Sequence, residues 1–194
     1  MFFKKALITI LIILSLNLLP VLAQTSHEWE NKGDELYSQG KYDEALQCYN
    51  KALEINPENG YAWYSKGFIL YKQEKYEEAL KCYEKTLDIT DDYGDAWKGK
   101  GDVLFIQGKY EDSLKCYNKA LECDKKVGDF KSEPSLLSKI GNVYSKTGDY
   151  SGALDYYNKA IEGYKKLGDI KAEPSLLSKI GNVYADINDY SKAL

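Results

Sequence analysis

Apolar positions along this chain recur in blocks. Leu36, Leu70 and Leu104 each follow a glycine, Gly33, Gly67 or Gly101, by three positions. That spacing places both residues on one stripe of a helix. Trp29, Trp63 and Trp97 enter the same blocks four positions before the glycine. A second stripe follows each first one through Ala45, Ala79 and Ser113, then Tyr49, Tyr83 and Tyr117, then Ala52, Thr86 and Ala120. Between the stripes stand Gly40, Glu74 and Gly108, where the chain turns, and Tyr42, Tyr76 and Tyr110 open the second helix two residues later. Glycine at such a turn fits the left-handed residue that ends a helix. Every one of these positions recurs after 34 residues. The pattern predicts a helix–turn–helix unit that is repeated.

Two further copies follow on a longer period, with Gly141 lying 40 residues after Gly101 and Gly181 another 40 on. Leu137 and Leu177 replace the tryptophan, Gly148 and Asn188 mark the turns, and Tyr150 and Tyr190 follow them. The segments 128–154 and 168–194 share about 20 of 27 positions, including an unbroken EPSLLSKIGNVY string from Glu133 and from Glu173. Lys125 to Phe130 and Lys165 to Ile170 predict a second helix longer by a turn, closed by a Gly-Asp break. Pro134 and Pro174 suit the first turn of the next helix, where the missing N–H is harmless.

A 34-residue period carrying tryptophan, glycine, A-x3-aromatic, alanine and, in the first copy, a closing Pro57 resembles the tetratricopeptide (TPR) signature. The 40-residue copies are similar to a longer variant of the same superfamily. The resemblance implies an all-α fold, a right-handed α-solenoid of stacked antiparallel helix pairs. Repeats would span about 26–59, 60–93, 94–127 and 134–173, with an incomplete fifth at 174–194. One such unit cannot bury its apolar face alone, and stacking creates both a core and an extended groove. Glycine in the first helix leaves room for the partner helix, at a propensity cost of about 1 kcal/mol against alanine. Ala45, Ala79 and Ala153 serve the same approach from the second. Burying a large side chain is worth about 1.5–3 kcal/mol, so the repeated tyrosines are expected to build the core.

Residues 1–23 do not carry the repeat. Lys4 and Lys5 precede an apolar run from Ala6 to Leu19, and Val21-Leu22-Ala23 ends in a small residue before Gln24. This is the layout of a secretory signal peptide cut after Ala23, which would export residues 24–194. The alternative is an uncleaved anchor formed by residues 6–23, a stretch just long enough to span a membrane. At the other end, the chain stops early in the second helix of repeat five. That is expected of a fragment or of a last helix that frays, and an uncapped end could also stack on another copy.

The four cysteines do not suggest disulfides. Cys48, Cys82 and Cys116 occupy one equivalent slot 34 residues apart, and packed helices lie about 8–10 Å apart, too far for a bridge. Cys116 and Cys123 are separated by about 10 Å along one helix. They are expected to act as small buried hydrophobes. The net charge of −4 becomes −6 without the two lysines of the leader, which holds no acid. With no basic block, nucleic acid is not an expected partner. Asp91-Asp92-Tyr93-Gly94-Asp95 lacks the alternating ligands of a calcium loop and reads as a solvated turn. No phosphate loop or hydrolase motif occurs, His27 has no nucleophile placed beside it, and neither metal nor cofactor is expected.

The TPR resemblance implies that first helices line the concave face with the positions between the core stripes. In repeat one these are His27, Glu30, Asp34 and Tyr37; in repeat two, Tyr61, Tyr64, Phe68 and Tyr71; in repeat three, Asp95, Lys98, Asp102 and Phe105. Ser138, Lys139 and Asn142, then Ser178, Lys179 and Asn182, follow in the later copies. The four aromatics of repeat two are divided between packing and ligand contact; exposed, they would suit an extended or helical peptide. Glu30 and Asp34 stand where chaperone-clamping TPR domains carry lysine and asparagine, so that reading is disfavoured. The implied function is a non-catalytic adaptor that binds proteins or peptides. The alternative is the sensory or regulatory portion of a larger signalling protein continuing beyond Leu194.

Overall fold

The computed structural model describes residues 26–187. The leader and the close of repeat five, with Asn188 and Tyr190, lie outside the described residues. Among the described residues the chain is helical and contains no strand. It divides into two compact units, the division falling between Asp91 and Asp92.

The first unit holds α1 (residues 26–38), α2 (Tyr42–Ile55), α3 (Gly60–Lys72) and α4 (Tyr76–Ile89). Its core gathers Ala45, Tyr49, Ala52, Leu53, Ala62 and Ile69, with Trp29, Leu36 and Trp63 packed against them. The second unit holds α5 (Gly94–Ile106), α6 (Tyr110–Val127), α7 (Glu133–Lys146), α8 (Tyr150–Lys166) and α9 (Glu173–Asp186), with a single 3₁₀ turn at Ile170–Ala172. Here each helix packs on its successor. Tyr117, Ala120, Leu136, Ile140 and Val143 form one cluster, and Ala153, Tyr157, Ala160, Leu176 and Val183 another. Each unit is a stack of helix pairs, the architecture of an all-α TPR solenoid.

The turns repeat one hydrogen-bonded device. In the first, Gly40 N–H donates to Tyr37 O at 2.9 Å and Lys41 N–H to Leu36 O at 2.9 Å, a Schellman closure. The turn residue is left-handed in each case, at φ 75° for Gly40, 74° for Gly108 and 83° for Gly148. Glu74 takes the same conformation at φ 61°, where its side chain crowds the backbone. The longer copies behave as their sequence predicts. α6 has 18 residues against 14 in α2 and α4, and it ends on Gly128 at φ 72°. Pro134 lies in the first turn of α7.

The expectation of a uniform tyrosine core needs correction. Tyr49, Tyr83, Tyr117 and Tyr157, in the middle of the second helices, are at most 2 % exposed. The tyrosines that open those helices are not core residues. Tyr42 is 39 % exposed, and Tyr76, Tyr110 and Tyr150 are half-buried, because a helix start lies at the rim of the stack. The glycine slot also has a sharper cause than helix approach in general. A Cβ on Gly101 would stand 2.7 Å from Tyr117 Cε1, and one on Gly141 would stand 2.7 Å from Tyr157 Cε1. The missing side chain makes room for an aromatic ring.

Cys48, Cys82, Cys116 and Cys123 are all buried free thiols. Burial pushes the Cys82 thiol up to about 11. Ser113, standing where other repeats have alanine, is buried and donates to Gly101 O at 2.8 Å. Its hydroxyl is thereby satisfied inside the core.

Candidate functional site

Three of the four buried tyrosines reach through the core to the first-helix residue just after the glycine. Tyr49 donates its hydroxyl to Asp34 Oδ1 at 2.5 Å, Tyr117 to Asp102 Oδ1 at 2.7 Å and Tyr157 to Asn142 Oδ1 at 2.9 Å. Burial and the Asp34 carboxylate together hold the Tyr49 phenol well above its usual range. The Tyr157 phenol is raised chiefly by burial. Sequence reasoning treated these tyrosines as packing alone. The signal that they do more is the polar residue following the glycine in four of five repeats.

In the first unit the candidate aromatics form a connected patch on α1 and α3. The Tyr37 ring lies 5.8 Å from Phe68, and Phe68 lies 6.2 Å from Tyr64 in a stacked arrangement. Lys72 Nζ sits 5.4 Å from the Phe68 ring centre. Tyr61 is exposed at one side and donates to Asp34 Oδ2 at 2.8 Å. Tyr71 is turned toward Tyr76, with ring centres 5.9 Å apart. Tyr64, Phe68 and Tyr71 are half-buried. They therefore contribute to packing and still present surface.

Apart from Phe105, the second unit is polar on the equivalent candidate positions of α5, α7 and α9. Asp102 accepts from Tyr117 and also from Lys139 Nζ at 2.7 Å, in a pair whose side chains are only 15 % and 29 % exposed. Lys98 is held on its own helix by Asp95 at 2.7 Å. Phe105, Asn142 and Asn182 come together, lining a cavity of about 490 Å³ with Ser145, Lys146, Tyr157, Lys179 and Asp186. Sequence reasoning placed Phe105, Asn142, Lys179 and Asn182 on this face and missed Lys146 and Asp186. Those two lie one helical turn beyond Asn142 and Asn182, at the ends of α7 and α9 and past the positions that the family pattern implies. His27 stays at the start of the first unit, 3.7 Å from Glu30. Among the described residues no His, Cys, Asp or Glu cluster has metal-holding geometry, and no helix is long and apolar enough to cross a membrane.

Three family models match this arrangement. One described as TPR repeat covers residues 33–74, and two described as tetratricopeptide repeat cover 60–93 and 92–166. The chain belongs to the tetratricopeptide repeat family. Solved TPR structures share its fold. The chain is similar to MamA 41-end from Desulfovibrio magneticus RS-1, with a TM-score of 0.75 at 16 % identity over 89 % of this chain and 90 % of that one. PilF of Pseudomonas aeruginosa gives a TM-score of 0.72 at 17 % identity, over 89 % and 73 % of the two chains. YrrB, described as a TPR protein with an unusual peptide-binding site, gives 0.67 at 23 % identity, over 86 % and 79 %. At these identities the likeness is one of fold. No curated protein matches the sequence. TPR stacks are protein-interaction modules, and this chain is such a scaffold.

Proposed function

We propose that the chain is a non-catalytic adaptor that holds a peptide or protein segment on the first-helix faces of its repeats. The observation that carries this reading is the cavity of the second unit. Its walls are side chains of the first helices α5, α7 and α9, with the ring of the core residue Tyr157 from α8 at its base. The ring patch of Tyr37, Tyr64 and Phe68 supports it from the first unit, since aromatic side chains give large contact area at low entropic cost. The peptide-binding site ascribed to YrrB supports it by analogy of fold. The acidic balance, −4 overall, disfavours nucleic acid as the ligand.

The leader belongs to the same proposal. A basic start, an apolar run and a small residue before Gln24 would export the chain, and the adaptor would then work outside the cytoplasm. N-terminal sequencing of the protein recovered from a fractionated cell tests this. A mature start at Gln24 supports export with cleavage, and an intact Met1 in the membrane fraction supports the anchor.

Binding is tested by pull-down from an envelope extract, using the parent and a Tyr64→Ala/Phe68→Ala variant with unchanged circular dichroism. A partner retained by the parent and lost by the variant supports ligand contact at the ring patch. Retention by both moves the contact to the second unit, where an Asn182→Ala variant is the next comparison. No partner for the parent under any condition overturns the adaptor reading.

A further inference from the structure

At one site, successive repeats of the second unit keep a tyrosine and a lysine but exchange the side chain between them. Across α5 to α7, Tyr117 and Lys139 both donate to the Asp102 carboxylate, and the Lys139 ammonium lies 5.9 Å from the Tyr117 ring centre. Across α7 to α9 the same positions are Tyr157, Lys179 and Asn142. Tyr157 donates to the Asn142 amide oxygen, and Lys179 Nζ lies 5.7 Å from the Tyr157 ring centre. The aromatic, the cation and the geometry are kept, but the carboxylate has become a neutral amide. Lys179 turns to the Ser138 hydroxyl at 3.0 Å.

We propose that the cavity beside Lys179 binds an acidic side chain, Asp or Glu, of a peptide ligand. Its carboxylate would meet Lys179 much as Asp102 meets Lys139 one repeat earlier. The proposal rests on the peptide-binding reading above and names the chemistry of its ligand. Asn142 Oδ1 is engaged by Tyr157, so its amide N–H groups are the ones left to donate to an incoming oxygen. Asn182 adds a second amide, and Lys146 a second cation on the wall. Phe105 offers an apolar surface for the methylenes of the acidic residue or for its neighbour. Asp186 is the one carboxylate on the lining. It stands seven residues from Lys179, about 10 Å along the helix axis, and does not make the pair that Asp102 makes.

Burial lowers the Lys179 ammonium from its ordinary value, and the charge of Lys139 lowers it further. A cation that has shed part of its hydration gains more from an incoming carboxylate than a fully exposed lysine does. Neutral and basic peptide side chains offer no such gain.

The test uses a bead library of N-acetylated, C-amidated dodecapeptides of random sequence, so that side chains supply every carboxylate. The full chain is compared with Lys179→Gln and Asn142→Asp, each checked by circular dichroism. Asn142→Asp restores the carboxylate found one repeat earlier and should occupy Lys179 internally. The expected result is enrichment of Asp or Glu at one position with the parent. Both variants should then lose about tenfold or more in affinity for those peptides. Peptides selected without acidic preference, or an acidic preference that survives both substitutions, overturn this proposal and leave the adaptor reading intact. No selected peptide at all overturns both. A preference that appears only when free C-termini replace the amides identifies a chain terminus as the ligand and also overturns it.

Discussion

Gly101→Leu tests the packing rule on which each repeat is built. In an exposed helix interior, replacing glycine by leucine should gain nearly 1 kcal/mol of helix propensity. Here the first added carbon alone would stand 2.7 Å from Tyr117 Cε1 and 2.8 Å from Cδ1, well inside van der Waals contact. The ring has little freedom to yield. Tyr117 is 2 % exposed and packs with Ala120, Leu136 and Ile140, and its hydroxyl is fixed on Asp102, which is itself held by Lys139. Overpacking of this kind costs about 1–3 kcal/mol, and occasionally more, and leucine adds three carbons beyond the first. With the upper figure and the propensity gain subtracted, the net loss should be about 2 kcal/mol. For a unit of this size that lowers the melting temperature by about 8–16 °C. The assay is thermal and urea unfolding followed by far-UV circular dichroism, with Glu111→Ala as the exposed control. The control should stay within about 0.5 kcal/mol of the parent. Equal melting temperatures for the two variants would refute the ring-in-glycine account of the repeat.

Three other outcomes follow from particular residues. Glu74→Gly should raise the urea midpoint, because a left-handed L-residue costs about 1–2 kcal/mol and glycine gives back only about 0.5–1 in unfolded-chain entropy; a lowered midpoint would mean that Glu74 is not strained at its φ of 61°. Leu137→Trp should stabilise by about 0.5–2 kcal/mol, since Leu137 borders a cavity of about 260 Å³ where three earlier repeats carry an indole; a destabilised variant would show that the slot has closed around leucine. Melting temperature should also fall as pH rises from about 9 toward 11. Cys82 is held neutral by burial, with its pKa raised to about 11, and Cys123, Tyr49 and Tyr157 are raised as well. An acid whose pKa is raised by folding contributes fully below its free value and loses that contribution as pH climbs through the folded one. Cys82→Ala should therefore flatten the decline, and an unchanged pH profile would refute the assignment.

Much of the fold was legible because its determinants are local and periodic. The stripe through Gly101 and Leu104, the turn at Gly108 and the small residue at position 113 recur with fixed spacing. Helix starts and stops could be read from Pro134 and Gly128 for the same reason. What could not be read was the depth of each tyrosine. Tyr42 and Tyr49 share a helix and a residue type, yet one is 39 % exposed and the other 2 %. The difference depends on where the neighbouring pair ends, and no single repeat encodes that. Lys98 was likewise placed on the correct helix, but its charge is spent on Asp95. The choice of rotamer and partner within a charged surface is not a periodic property.

The residue after each glycine brings fold and recognition onto the same side chain. A buried tyrosine hydroxyl needs a partner, so this position tends to carry an acceptor, and the acceptor faces the surface where a ligand would lie. Where it is Asp34 or Asp102, the carboxylate is already shared, by Tyr49 and Tyr61 in one case and by Tyr117 and Lys139 in the other. Such a position is settled within the chain and has little left to offer. Where it is Asn142, one hydrogen bond satisfies the tyrosine and the amide N–H groups are left over. An Asp-to-Asn change in this column therefore leaves the core's hydrogen bond in place while releasing a lysine from its carboxylate, as Lys179 pairs with the Ser138 hydroxyl instead. Selectivity for ligand charge can then change from repeat to repeat without disturbing the stack. In this chain that release falls at Asn142 and Lys179.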